Sequence, residues 1–387
     1  MSLNSIIGAL RKVKRAVHSA RGNYKMKIAN PKKNRGDKEL VKYAHIGYPK
    51  CASTALQKGY LGRHSHLLHL GCGAGKNSDF WDDLGYIDEG INQALEVDLR
   101  YKTKFAYDAE ETAAAFQRHF DVAEADEEVH AVGISNENLC FNWHGGIETP
   151  EKAKRLFEIM GHGTQIILVL RDQKSLIESL YKESIRFGYS GTFQEYQKYL
   201  WQYKDRNYFY DFCFSKVIDL YRKLFGEKNV HILFFEDLKA DSKRFLERFS
   251  EILNVDYHAL PFDGDFNKQL SPNELAIKRI INDSYPHTFE KGTYHPVDTH
   301  RYVPYLTDEE SGELDVEHYF DYYVRHGLGA VAEKIATKAK FPELDMSWSG
   351  KYGTKILSEY EQDNRACFEK FKFLQFEEFS YTNLTRD

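Results

Sequence analysis

Short apolar runs alternate with stretches of helical periodicity from residue 43 to residue 253. Tyr43 to Gly47 is a short apolar strand running into a turn, with a helix expected from about Thr54. Leu67 to Leu70, His130 to Ser135, Gln165 to Leu170 and Val230 to Phe235 are the other strands. Helical spacing covers Thr112 to Phe120, Glu151 to Met160, Lys174 to Phe187, Ser215 to Phe225 and Ser242 to Leu253. Strands this short and this apolar, separated by helices, predict an α/β fold: a central parallel sheet flanked by helices on both faces.

Beyond residue 256 the pattern weakens. Residues 257–350 are rich in Tyr, His, Asp and Pro and are expected to form loops and short helices, before a last helix over Ile356 to Phe371. The first 40 residues form an arm. Leu3, Ile6, Ile7, Leu10, Val13 and Val17 recur at helical spacing beside Arg11, Lys12, Lys14 and Arg15, and Asn30 to Lys38 has a linker's composition. Such a helix suits an anionic membrane surface, or packing against its own body or a partner. The remainder, 41–387, is expected to be one large domain with loop-rich insertions; at 387 residues and 42% apolar the chain can fill a sizeable core.

Charge sharpens this division. The net charge is −5, but residues 1–42 carry 12 Lys and Arg against 2 acidic residues, so a basic arm precedes an acidic body. The body is no bulk nucleic-acid binder. Five scattered cysteines without a CxxC pair argue against a disulfide framework or structural zinc, and for reduced thiols in the cytoplasm. The longest purely aliphatic run, Ile166 to Leu170, cannot span a bilayer, and the N-terminus lacks a signal peptide's apolar core.

One stretch carries chemistry. Gly47-Tyr48-Pro49-Lys50-Cys51-Ala52-Ser53-Thr54 lies between a strand and a helix, where several backbone N–H groups converge on the positive end of the helix dipole. Ser53 and Thr54 add hydroxyls and Lys50 a cation, a combination that suits a phosphate. It is not a Walker A loop, because Ala52-Ser53 occupies the Gly-Lys places. On local pattern alone, an ordinary strand–helix turn stands level with a phosphate site.

Tyr-Pro-Lys-Cys-Ala-Ser-Thr resembles the 5′-phosphosulfate loop of sulfotransferases that use 3′-phosphoadenylyl sulfate (PAPS), with Ala52 for the family's Gly and Ser53 for its Thr. Strand Gln165 to Leu170 ends in Arg171-Asp172, with Ser179 eight positions after the Arg and then Tyr181, similar to the family's 3′-phosphate motif. Gln173 replaces the family's Pro, which is expected to loosen the turn. Phe234-Phe235-Glu236-Asp237-Leu238 resembles a block that is mostly structural. Lys291-Gly292-Thr293 resembles the loop that closes over the nucleotide in carbohydrate-type members, with Thr293 in place of Arg.

The resemblance implies a P-loop-like sulfotransferase fold and sulfuryl transfer from PAPS to an acceptor hydroxyl or amine, without a metal, leaving 3′-phosphoadenosine 5′-phosphate (PAP). Lys50 is then expected to stabilise charge on the departing phosphate, with Lys50 to Thr54, Arg171, Ser179 and Lys291 to Thr293 holding the nucleotide. Glu137, after strand His130 to Ser135, is the candidate general base; a turn-capping or ion-pairing role stands beside it, with His64, His66, His69 and His144 as rivals. The Tyr-rich stretches Tyr196 to Tyr210 and Tyr257 to Tyr305 line an acceptor cleft or pack in the core. The acceptor is expected to be a small molecule, a glycan or a glycolipid, with the arm offering peripheral membrane contact.

Two other functions remain open. Leu70-Gly71-Cys72-Gly73-Ala74-Gly75 after an apolar strand resembles the glycine-rich loop of S-adenosylmethionine methyltransferases, with Glu96-Val97-Asp98 in the place of the ribose-binding acid. A non-catalytic nucleotide-binding module would carry the same phosphate motifs.

Overall fold

A computed structural model describes residues 35–36, 38–71, 87–142, 146–186, 189–259, 270–284, 334–335 and 343–385. Five strands, β1 Val41–His45, β2 Leu67–Gly71, β3 Ala131–Ser135, β4 Gln165–Leu170 and β5 Val230–Phe234, form one sheet in the order β2-β3-β1-β4-β5. All four pairings are parallel. Every residue of β3 is buried, as are Ile166 to Leu170 of β4. Burial on both faces is why these strands are continuous apolar runs with no polar alternation.

Twelve helices interleave with the strands among the described residues: α1 Ser53–Ala55, α2 Glu89–Gln93, α3 Ala109–Ala125, α4 Thr149–Met160, α5 Gln173–Arg186, α6 Phe193–Gln202, α7 Phe214–Phe225, α8 Phe235–Ala240, α9 Ser242–Leu253, α10 Pro272–Ser284, α11 Lys351–Phe371 and α12 Gln375–Glu378. Local chemistry sets their ends. Asp108 accepts a bond from the Glu111 N–H at the start of α3, and Thr192 and Glu195 form a capping box at α6. Asn254, in the left-handed region, stops α9. The helix expected from Thr54 starts at Ser53 and widens into a π turn over Leu56–Leu61. Within the stretch expected to be mostly loop, α10 is a 13-residue helix.

Strand order places the site. The chain leaves β1 toward β2 and leaves β3 toward β4, in opposite directions across the sheet. A crevice opens at such a switch point, outside the carboxyl ends of the strands. His45 pairs in register with Ser135, so β1 and β3 end level. Close approach of these strands requires Gly133, where a Cβ would sit 1.9 Å from the Tyr43 carbonyl oxygen.

Candidate active site

After β1 the chain keeps following β4. The Ile46 N–H bonds the Ile167 carbonyl at 3.0 Å and the Tyr48 N–H bonds the Val169 carbonyl at 3.2 Å. Gly47 fits because a Cβ there would lie 2.9 Å from the Val169 nitrogen. Tyr48 is fully buried, ringed by Phe212 and Phe214, and donates to the Asp211 carbonyl at 2.5 Å. The loop therefore advances along β4 until Lys50 stands beside Arg171. Lys50 and Ala52 both take left-handed conformations, with φ of 61° and 62°. Ala52 adopts the geometry in which glycine has no steric cost. The Cys51 side chain is buried and its thiol faces the Pro49 carbonyl, so only its backbone remains for a ligand. Ser53 is buried and Thr54 half-buried at the start of α1.

Arg171 follows β4. Its Nη1 donates to the Lys50 carbonyl at 2.8 Å, its Nε to Ser175 Oγ at 2.9 Å, and its guanidinium lies 4.9 Å from the centre of the Phe235 ring. Nη2 makes no hydrogen bond to the described residues. Ser175, Ser179 and Glu183 share one face of α5, each one turn after the last. Glu183 closes the far end: its Oε2 lies 3.2 Å from Lys50 Nζ and 3.0 Å from Arg186 Nη1. The stripe thus touches the residue-50 region at both ends, through Arg171 and through Glu183. Ser179 lies between them, buried, its hydroxyl making no hydrogen bond to the described residues. Ser175 and Glu183 escaped the sequence reading, although their four-residue spacing about Ser179 was there to see. Burial pushes the Glu183 carboxyl up, but Lys50 and Arg186 outweigh it and hold its pKa below the usual range.

Gln173 does not loosen the turn into α5. It is fully buried and exchanges two 2.9 Å amide hydrogen bonds with Asn364 of α11, while its Nε2 also donates to the Phe212 carbonyl. Helix α11 replaces with hydrogen bonds the rigidity that a proline ring would have supplied. Glu236 accepts from the Asp172 N–H and the Tyr381 hydroxyl, a structural role of the kind expected for its block.

Glu137 begins the 3-10 turn after β3, and Ser53 Oγ donates to its Oε2. Burial raises the Glu137 pKa; the Ser53 bond and the nearby Lys50 charge oppose that rise. Three side chains hold this turn. Lys152 Nζ donates to the Asn138 and Phe141 carbonyls, the Tyr221 hydroxyl to the Leu139 carbonyl, and Asp211 accepts from the Asn142 N–H. Below the crevice, His45 Nδ1 shares a 2.7 Å hydrogen bond with Ser135 Oγ, which also accepts from Gln57 Nε2.

Several candidates fall outside this cluster. His64 and His66 precede β2, at the opposite end of the sheet from Glu137, and bond to the Asp256 and Glu128 carbonyls. His69 lies within β2, bonded to the Tyr43 hydroxyl. Tyr196, Tyr199 and Tyr208 are core, not cleft, with the Tyr196 and Tyr208 hydroxyls 2.5 Å apart. Glu96 and Asp98 sit in a helical turn, paired with Arg100 and Lys102, and neither ends a strand as a ribose-binding acid would. The methyltransferase reading loses its acidic partner. Residues 72–75, His144 and the Lys291-Gly292-Thr293 loop lie outside the described residues, as does the basic arm up to residue 34. Among the described residues no group of three or more His, Cys, Asp or Glu could hold a metal ion. Nor is any described helix long and apolar enough to cross a membrane. Cys51, Cys140, Cys213 and Cys367 are free, buried thiols.

Residues 155–275 match the family model of the sulfotransferase domain, a span that includes β4, Arg171, all of α5 and β5. No curated protein matches. Among solved structures, a sulfotransferase from Alicyclobacillus acidocaldarius is 16% identical with a TM-score of 0.40, covering 63% of this chain and 94% of its own. The sulfotransferase domain of the curacin biosynthetic pathway is 15% identical (TM-score 0.34; 83% and 97% covered). A mouse sulfotransferase solved with PAP is 12% identical (TM-score 0.32; 78% and 90% covered). Likeness this distant assigns no residue a role. The match to the sulfotransferase domain thus lies on the half of the sheet that carries Arg171, and it is over residues 155–275 that the chain is similar to that family.

Proposed function

We propose that this protein transfers the sulfuryl group of PAPS to a hydroxyl or amine of an acceptor. The observation that supports this most directly is the bond from Arg171 to the Lys50 carbonyl, because it joins the loop after β1 to the end of β4, the two stretches read as phosphate motifs. The groups there fit a nucleotide with charge at both ends. The amides of residues 50–54, with the Thr54 hydroxyl, receive the 5′-phosphosulfate, while the Ser53 hydroxyl proton stays bonded to Glu137. Arg171 Nη2 and the Ser179 hydroxyl, both without a described partner, receive the 3′-phosphate.

Transfer is an in-line displacement. The acceptor oxygen or nitrogen bonds to sulfur as the bond from sulfur to the 5′-phosphate oxygen breaks, and PAP departs with that electron pair. Lys50 stabilises the charge that grows on the departing oxygen, a contribution made by electrostatic preorganisation. Glu137 takes the acceptor's proton, held in orientation by Ser53 and by the bolted turn after β3. The acceptor is a small molecule, a glycan or a lipid-linked glycan, and the basic arm brings the enzyme to a membrane surface when the acceptor is lipid-linked.

The test is direct. PAP should raise the melting temperature and S-adenosylhomocysteine should not, and labelled sulfate should pass from PAPS to members of an acceptor panel of phenols, glycans and glycolipids. Stabilisation by S-adenosylhomocysteine alone would overturn the reading. PAP binding with no transfer to any acceptor would favour a non-catalytic module.

A further inference from the structure

Glu183 occupies the position of a competitor. Its Oε2 lies 3.2 Å from Lys50 Nζ and 3.0 Å from Arg186 Nη1, in a half-buried setting where water screens charges less than at the open surface. Glu183 makes no other bond among the described residues, so its carboxylate serves these two cations alone. Yet the anionic end of a donor would enter beside it. A dianionic phosphosulfate and a carboxylate cannot both sit on one ammonium without repulsion.

We propose that Glu183 is a counter-ion gate on Lys50: it holds the lysine while the site is empty and must give it up to the donor, swinging to Arg186 alone. The inference rests on the reading of the loop as a PAPS site. Arg186 gives the displaced carboxylate a destination one turn further along α5, so release costs less than exposing an unpaired charge. Glu183 is a positioning residue, acting through Lys50 and touching no reacting atom.

The gate predicts a sign that a merely structural ion pair does not. Removing a structural partner of Lys50 would loosen the loop and weaken nucleotide binding. Removing a competitor strengthens it. Calorimetric titration with PAP of the wild type, Glu183→Gln, Arg186→Gln and the double variant reads this out. E183Q should bind PAP about tenfold more tightly, a coupling of ordinary size for two sites in contact. R186Q should bind less tightly than wild type, because Glu183 then holds Lys50 without an alternative. In the double variant the loss caused by R186Q should disappear, since no carboxylate is left to be held. Glu183→Asp, which keeps the charge but withdraws it by a methylene, tests the contact should E183Q fail to fold, and should also tighten binding.

If the wild type binds PAP and neither E183Q nor E183D binds it more tightly, the gate is wrong and the donor site stands. A full R186Q loss persisting in the double variant would equally overturn the gate, showing Arg186 to be a plain phosphate contact. Should the wild type not bind PAP at all, the donor reading fails and takes this inference with it.

Discussion

Arg171 Nη1 donates a 2.8 Å hydrogen bond to the carbonyl of Lys50, 121 residues earlier in the chain. That bond joins the end of β4 to the loop after β1, and it locks the loop at a residue with φ of 61°. Charge-assisted bonds of this kind contribute about 1.5–3 kcal/mol. Arg171→Lys keeps the charge but cannot serve the carbonyl, Ser175 and a phosphate together. We expect it to weaken PAP binding about 10- to 100-fold, as bonds of that strength imply, with the far-ultraviolet circular dichroism unchanged. Calorimetric titration with PAP checks this; wild-type affinity would remove Arg171 from the nucleotide site.

Lys50→Ala separates chemistry from folding. The Lys50 side chain is 19% exposed and bonds to Glu183 among the described residues, so the fold should survive. Turnover with labelled PAPS should fall by roughly 10²–10³, the range for removing one preorganised donor to a developing charge. Activity within a few-fold of wild type would dismiss Lys50 from the mechanism.

Glu137 should define the acid side of the pH profile. Burial raises its pKa above the usual 4.5, and only the ionised form accepts a proton. Activity should therefore fall as pH drops through that raised value, and kcat/KM should reach its plateau above it. Glu137→Gln should lower the rate about 10²–10⁴-fold and abolish this limb. An unchanged rate would reassign the base, with His144 the histidine rival that the described fold does not place elsewhere.

Acid should unfold this protein through its buried histidines. Burial, reinforced by the charge of His69, pulls the His45 pKa from 6.5 to about 3, and burial pulls His69 to about 4. Below pH 6.5 the unfolded chain takes up protons that the folded one refuses, so their contribution is intact above that pH and drains away as pH falls toward 3–4. Each group costs up to about 1.4 kcal/mol per pH unit within that window. Urea denaturation at pH 7.5 and 5.5 should show a lower midpoint at 5.5 in the wild type. The difference should shrink in His69→Gln.

Ala52 sits at φ 62°, where a side chain is strained by roughly 1–2 kcal/mol. Ala52→Gly relieves that strain but frees the unfolded chain, which offsets the gain by about 0.4–1 kcal/mol. The melting temperature should hold or rise slightly, whereas Ala52→Val should lower it. A clear loss with glycine would mean that the alanine methyl itself packs usefully.

The sheet was legible because its signal is local. Runs such as Ile-Ile-Leu-Val-Leu are apolar wherever a strand is buried on both faces, and all five strands lie within a few residues of where the periodicity puts them. Helix α6 escaped notice because its aromatic residues resemble a cleft lining as much as a core. Its capping box, Thr192 and Glu195, was the signal available.

By itself the sequence determined the strand–helix alternation, the strand-to-helix turn at residues 47–54, and the Arg at the end of β4. These follow from neighbours in the chain: side-chain period, turn chemistry and the dipole of the helix that comes next. Only the tertiary structure decided that Arg171 reaches Lys50, that Gln173 is held by Asn364, that Glu137 meets Ser53, and that Glu183 holds the lysine. Those contacts depend on the strand order, which sets β1 between β3 and β4. Strand order arises from packing between segments over a hundred residues apart, and no local pattern records it.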